Sequence, residues 1–122
     1  MNYKTRKLVK PEDLNARQTL FGGACLKWID EEAAIFAICQ LGTKNIVTKF
    51  MSEINFMSPG YLGDIIEIGA EVISFGTTSI TLAVDLRNKD TGNSILKIDK
   101  IVFVAVDENG KPTPHGKKEV LN

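Results

Sequence analysis

The chain uses two hydrophobic periods and keeps them in separate halves. From Ala24 to about Leu41, apolar residues gather at helical spacing until Ala33-Ala34-Ile35-Phe36-Ala37-Ile38-Cys39 runs unbroken. After Lys44 the pattern becomes alternating, as in strands with one face buried. One long helix followed by several strands leaves the helix only a sheet to pack against. A helix apolar nearly all round is expected to be buried on most sides. Gly42 is well placed to end it.

The strands can be placed in order. Residues 3–9 suit a short strand ending before Pro11, which lacks an amide hydrogen. Pro11 to Gln18 is polar and reads as a loop. Residues 46–57 alternate throughout, with Ile46, Thr48, Phe50, Ser52, Ile54 and Phe56 on one side. Pro59-Gly60 and Gly63-Asp64 mark a turn. In 65–75, Ile66, Ile68, Ala70 and Val72 oppose Glu67 and Glu71, and Gly76 stops the run. In 78–88, Ile80, Leu82, Val84 and Leu86 oppose Ser79, Thr81, Asp85 and Arg87. Asp90-Thr91-Gly92-Asn93 is a hairpin signal leading into a last strand over 94–106. The polar tail 111–122 is expected to be loosely ordered.

Short turns between the strands predict a mainly antiparallel sheet wrapped around one central helix, an α+β architecture of the hotdog kind. Such a sheet leaves strand edges open, and pairing with a second copy through an edge closes one of them. A homodimer is therefore the expected smallest unit. The 122 residues are expected to form a single domain, 1–122.

Charge and cysteine content narrow the function. Fifteen basic and fifteen acidic residues cancel, so no overall field recruits nucleic acid or a membrane surface. The N-terminal residues have no apolar core of signal-peptide length, and no run approaches the ~20 apolar residues of a membrane span. Cys25 and Cys39 lie on one helix, ~21 Å apart along its axis, and cannot join in a disulfide. A reducing, cytoplasmic location is expected.

Asp30 is the anomaly on the helix. Leu26 lies one turn behind it and Ala33 and Ala34 one turn ahead, so the carboxylate falls on an apolar row. Such a group is costly unless partnered or used. Glu31 sits four residues after Lys27 and suits the surface. Glu32 follows Trp28 to a boundary. The only histidine, His115, lies in the polar tail, which argues against a Ser-His-Asp triad or a histidine-based hydratase. No G-x-S-x-G elbow occurs, and cysteine and histidine are too few for a familiar zinc site, so no metal or cofactor is expected. Cys25, with no histidine nearby in sequence, reads as a packed thiol.

The stretch D-L-N-A-R-Q-T-L-F-G-G-A-C-L-K-W-I-D-E-E-A-A resembles the start of the hotdog acyl-CoA thioesterases, the bacterial YciA type and the cytosolic acyl-CoA hydrolases. The shared pattern is an Asn, a loop, an aromatic residue before Gly-Gly, and an acid two turns into the helix. I-N-F-M-S-P-G-Y-L-G-D, G-T-T-S at 76–79 and F-V-A-V-D-E-N-G-K-P at 103–112 extend it in order. Gln18 departs from it, standing where many members carry glycine.

The resemblance implies an acyl-CoA thioester hydrolase assembled as dimers, and as a hexamer built as a trimer of dimers. Asp30 is implied as general base or nucleophile, facing Asn15 of a second protomer. Asn15 would orient water or hold the thioester oxygen; its plainer reading is a turn residue. The amides of Gly23, and next of Gly22, are candidate oxyanion donors, since a helix start leaves N–H groups unpaired. Thr48 and Gly76, Thr77, Thr78 and Ser79 would meet pantetheine and phosphates, or serve simply as sheet and turn residues. Arg87, Lys97, Lys100 and Lys111 are candidate phosphate partners among basic residues that are otherwise solvated. The rivals are a hotdog protein that binds acyl-CoA without turnover, as sensor or carrier, and a scaffold dimer with a decayed site.

Overall fold

The computed structural model describes residues 1–121. Strand β1 covers Asn2–Leu8, followed by a single 3-10 turn at Pro11–Asp13 and the helix α1 over Gly22–Leu41. Strands β2 (Ile46–Met51), β3 (Ile54–Phe56), β4 (Ile65–Phe75), β5 (Ser79–Asn88) and β6 (Ser94–Ala105) complete the chain. They form one antiparallel sheet in the order β1-β4-β5-β6-β2, with β3 also paired to β6.

The core follows from register. Ile68, Leu86 and Leu96 lie side by side across β4, β5 and β6, and Ala70, Val84 and Ile98 form the next row. Each large aliphatic side chain removed from water there contributes about 1.5–3 kcal/mol. Against these rows α1 lays a stripe at four-residue spacing, Cys25, Ile29, Ala33, Ala37 and Leu41, all buried. The rest of the helix is not buried on most sides as expected: Ile35 is half exposed and Cys39 is exposed. A single curved sheet contacts only one stripe of a helix, whatever the other faces carry. The helix also starts two residues earlier than the apolar pattern suggests, at Gly22. It ends as expected, with Gly42 left-handed at φ 71° and its amide donating to Ile38 O at 2.8 Å.

Two further differences from the sequence pattern are marked by hydrogen bonds. The run 46–57 is two strands, and at the break Ser52 clamps the neighbouring strand β6. Its amide donates to Lys100 O at 2.8 Å, and its hydroxyl oxygen accepts from the Lys100 amide at 3.0 Å. The tail, expected to be loosely ordered, follows a hydrogen-bonded course. Thr113 N donates to Ala105 O, and His115 reaches Thr77 O through its amide and Ser79 O through Nε2 at 2.8 Å. The buried Gln40 amide then takes both backbone groups of Leu121, at 2.8 and 2.9 Å. A buried side-chain amide without such partners would be destabilising, so Gln40 holds the tail as firmly as the tail satisfies Gln40.

Candidate active site

Asp30 sits half-buried on the flank of α1 that looks toward β2. The Thr48 hydroxyl donates to Asp30 Oδ1 at 3.2 Å. Two of the residues singled out from sequence are thus in contact, across helix and sheet. The other flank of the helix differs. There the Thr5 hydroxyl donates to Glu32 Oε2 at 2.5 Å, tying β1 to the helix. Glu32 is a structural acid. Asp30 keeps Oδ2 without a partner among the described residues.

The start of α1 supplies the second part. Phe21 occupies the cap position and offers no side-chain hydrogen bond to the helix. Its carbonyl accepts from the amides of Ala24 and Cys25 at 3.0 and 3.2 Å. The amides of Gly22 and Gly23 find no acceptor among the described residues, which leaves two donors directed out of the helix end. A Cβ on Gly23 would lie 2.7 Å from the Phe21 ring, and one on Gly22 would lie 3.2 Å from Phe56. A side chain at Gly23 would displace the exposed Phe21 ring, and one at Gly22 would press on Phe56.

Asn15 stands on the loop folded against this helix start. A bridge between Leu14 and Leu20 closes the loop, and Phe21 N donates to Asp13 O at 2.8 Å. Within the chain Asn15 does what its turn reading expects. Its Oδ1 accepts from the amides of Arg17 and Thr19 at 2.9 and 3.2 Å, and its Nδ2 donates to Thr19 Oγ1 at 3.0 Å. It makes no hydrogen bond to Asp30 among the described residues.

The remaining candidates scatter. Gly76, Thr77, Thr78 and Ser79 make the tight turn from β4 to β5, with Gly76 N donating to Ser79 O at 2.9 Å. A Cβ on Gly76 would collide with Ser79 Oγ. The tail crosses this turn, so His115 is the neighbour that sequence reasoning missed; nothing in a polar tail marks its course. Arg87 is on the sheet face away from the helix. Its Nε donates to Glu67 Oε1 at 2.8 Å, and its guanidinium lies 3.5 Å from the Tyr3 ring centroid. That engagement, and not a free phosphate-binding end, is what the structure gives Arg87. Lys111 closes the 107–111 turn through its backbone, with its side chain exposed. Cys25 is buried as expected, and burial pushes its thiol up to about 11.

The assembled features are a half-used acid beside a threonine and, at the start of the same helix, two open amides with an amide side chain nearby. Residues 17–95 match the family model of the thioesterase superfamily. The acyl-CoA thioester hydrolase YciA of Salmonella typhimurium is 31% identical over 115 residues, spanning 89% of this chain and 86% of the relative. In solved structures, the hexameric thioesterase y2039 from Yersinia pestis superposes with TM-score 0.83 at 29% identity, covering 93% of each chain. An acyl-CoA hydrolase from Staphylococcus aureus, solved with butyryl coenzyme A, coenzyme A and coenzyme A disulfide, gives 0.81 at 34% identity over 90% of this chain and 66% of that one. The chain belongs to the thioesterase superfamily, within the hotdog-fold acyl-CoA thioester hydrolases of the YciA type.

Proposed function

We propose that the protein hydrolyses acyl-CoA to a free fatty acid and coenzyme A at sites shared between two copies of the chain. One observation carries the two-chain arrangement. From Gly22 to Asp30 the helix rises ~12 Å, and the open amides point along the axis away from Asp30. A carbonyl held at those amides lies out of reach of the same chain's carboxylate. Asp30 of one copy, with Oδ2 free, takes a proton from water; the hydroxide attacks the thioester carbonyl held at Gly22 and Gly23 of the other copy. Charge on the oxygen is met by those amides, with Asn15 beside them. The C–S bond then breaks, and Asp30 returns the proton to the coenzyme A sulfur. Water and side chains supply the whole reaction, with no cofactor.

Hexameric relatives support a hexamer; in this reading it is built from three homodimers, with Thr48 and the 76–79 turn facing the pantetheine and nucleotide. None of the described helices is long and apolar enough to cross a membrane. With its two free thiols, the protein is assigned to the cytoplasm.

Thiol release from an acyl-CoA panel tests the reading. Asp30→Ala is expected to lower kcat about 10²–10⁴-fold, the range of a lost general base, while coenzyme A still binds. Wild type that binds coenzyme A and releases no thiol is instead a sensor or carrier. Co-expressed Asp30→Ala and Asn15→Ala chains regain activity, since each mixed pair carries one intact site. Failure to regain it places both residues in one chain's site.

A further inference from the structure

Three successive carbonyls in the turn from β4 to β5 are held by β6 and the tail beyond it. Ala105 N donates to Thr78 O at 2.8 Å, His115 N to Thr77 O at 3.2 Å, and His115 Nε2 to Ser79 O at 2.8 Å. In a trans peptide the amide points opposite to the carbonyl that shares its plane, so anchoring Thr77 O turns Thr78 N outward. The amides of Thr77 and Thr78 find no acceptor among the described residues. Thr77 also lines a cavity of about 680 Å³ whose wall carries Lys117 and Lys118. Two adjacent open amides, with two ammonium side chains in the same wall, suit an anionic or carbonyl-bearing ligand.

The His115 ring is fixed in one form. Lys117 N can only donate, so Nδ1, 2.9 Å away, accepts and carries no proton. The proton is on Nε2, facing Ser79 O. The Phe75 ring meets the imidazole edge-on, with centroids 6.1 Å apart.

We propose that His115 is a positioning residue for the coenzyme A part of the substrate, bracing the 76–79 turn so that the Thr77 and Thr78 amides face the ligand. The inference rests on the reading of this turn as a pantetheine and nucleotide contact. Loss of the ring's bond leaves the tail on Thr77 O by one backbone bond of 3.2 Å, while Gly76 N and Ala105 N still hold the base of the turn. The strands stay paired, and the peptide between Thr77 and Thr78 is freed to rotate. The effect falls on binding of the carrier and not on the bond that is broken.

Asparagine and glutamine at 115 separate the ring's two contacts. His115→Asn places an acceptor where Nδ1 stands and falls short of Ser79, whereas His115→Gln carries an N–H to the place of Nε2. KM for butyryl-CoA should rise about two- to tenfold in His115→Asn, what one neutral hydrogen bond contributes, with kcat unchanged. His115→Gln should return KM to near the wild-type value. Butyryl-N-acetylcysteamine lacks the nucleotide and most of the pantetheine arm, and its KM should move in neither variant. The dissociation constant of coenzyme A, measured by calorimetry, should follow the KM of butyryl-CoA, and melting curves identify folded variants. A KM for butyryl-CoA that is unmoved in His115→Asn, not restored in His115→Gln, or raised equally for both thioesters overturns the brace. Wild type that releases thiol from neither thioester overturns the hydrolase reading instead, and calorimetry with coenzyme A then decides the brace by itself.

Discussion

The two edges of the sheet are finished in opposite ways. Both carry a register shift, β1 between Tyr3 and Thr5 and β2 between Thr48 and Phe50, and each shift falls at a lysine. The shift and the charge are therefore not the difference. On the β1 side the Tyr3 ring crosses β4 above Gly69, where a Cβ would approach it to 2.9 Å, and its hydroxyl donates to Asp85 Oδ2 at 2.6 Å. Arg87 stacks on the same ring and pairs with Glu67, and Thr5 holds Glu32. On the β2 side, Val47, Phe50, Phe56 and Met57 stand about half exposed or more, beside Phe21 at the helix start. One edge satisfies itself and the other is unfinished. Asp30, Thr48, Gly22 and Gly23 all gather at the unfinished one, as expected if a second copy completes both edge and site.

The largest effect follows from putting charge on each edge in turn. If a second copy completes the β2 edge, Phe50→Lys buries a lysine in it. We expect dimer dissociation to rise by roughly 10²-fold or more, as for an unpaired charge at a contact centre. Sedimentation gives the mass, and activity should become steeply dependent on protein concentration. Leu8→Lys, at an equally exposed apolar position on β1, should change neither mass nor activity. Equal responses would erase the contrast between the edges.

A middle-sized effect tests the finished edge. Asp85 is 4% exposed, and its Oδ1 has no partner among the described residues, where Tyr3 supplies the one bond its carboxylate has. Tyr3→Phe should cost about 1–3 kcal/mol of stability, with hydrolysis retained. Burial first, and then the bond to Asp85, hold the Tyr3 hydroxyl up at about 12 against the usual 10.0. The folded state therefore keeps this proton longer than the unfolded one. Its contribution is complete below about pH 10 and is lost as pH rises through about 12. Melting against pH should show that fall in wild type and a shallower one in Tyr3→Phe.

The same contrast explains what could be read from sequence. Asp30 was legible because helical phase is local and its neighbours Leu26, Ala33 and Ala34 are apolar. The inward faces of β4 and β5 were legible for the same reason; β6, whose end is apolar on both faces, showed none. Asp85 was not: alternation puts it opposite Val84 and Leu86 on the outer face, and only the absence of a side chain at Gly69 lets Tyr3 cover it. The break at Ser52 was hidden because Ser52 and Glu53 continue the alternating pattern, while the clamp to Lys100 is 48 residues away. Arg87 read as a candidate cation because its partners Glu67 and Tyr3 lie on two other strands. What depended on neighbours along the chain could be read, and what depended on neighbours across the sheet could not.

The smallest effect concerns the Asn15 loop on the unfinished side. Gln18 has φ 64°, the only non-glycine residue with positive φ among those described. The loop thus holds the left-handed turn that glycine takes without strain, although the residue is glutamine. This keeps Gln18 N on Asn15 O at 3.0 Å and leaves the Asn15 side chain fixed by Arg17 and Thr19. Relief of left-handed strain is worth of order 1–2 kcal/mol, against about 0.4–1 kcal/mol for glycine's greater freedom in the unfolded chain. Gln18→Gly should therefore raise stability by roughly 0.5–1 kcal/mol and the melting temperature by a few degrees, with kcat unchanged. Gln18→Val, β-branched at the same φ, should lower both stability and kcat, because a loop that leaves the left-handed turn carries Asn15 away from the helix start. Equal melting temperatures for the glycine and valine variants would show that the turn is not what positions Asn15.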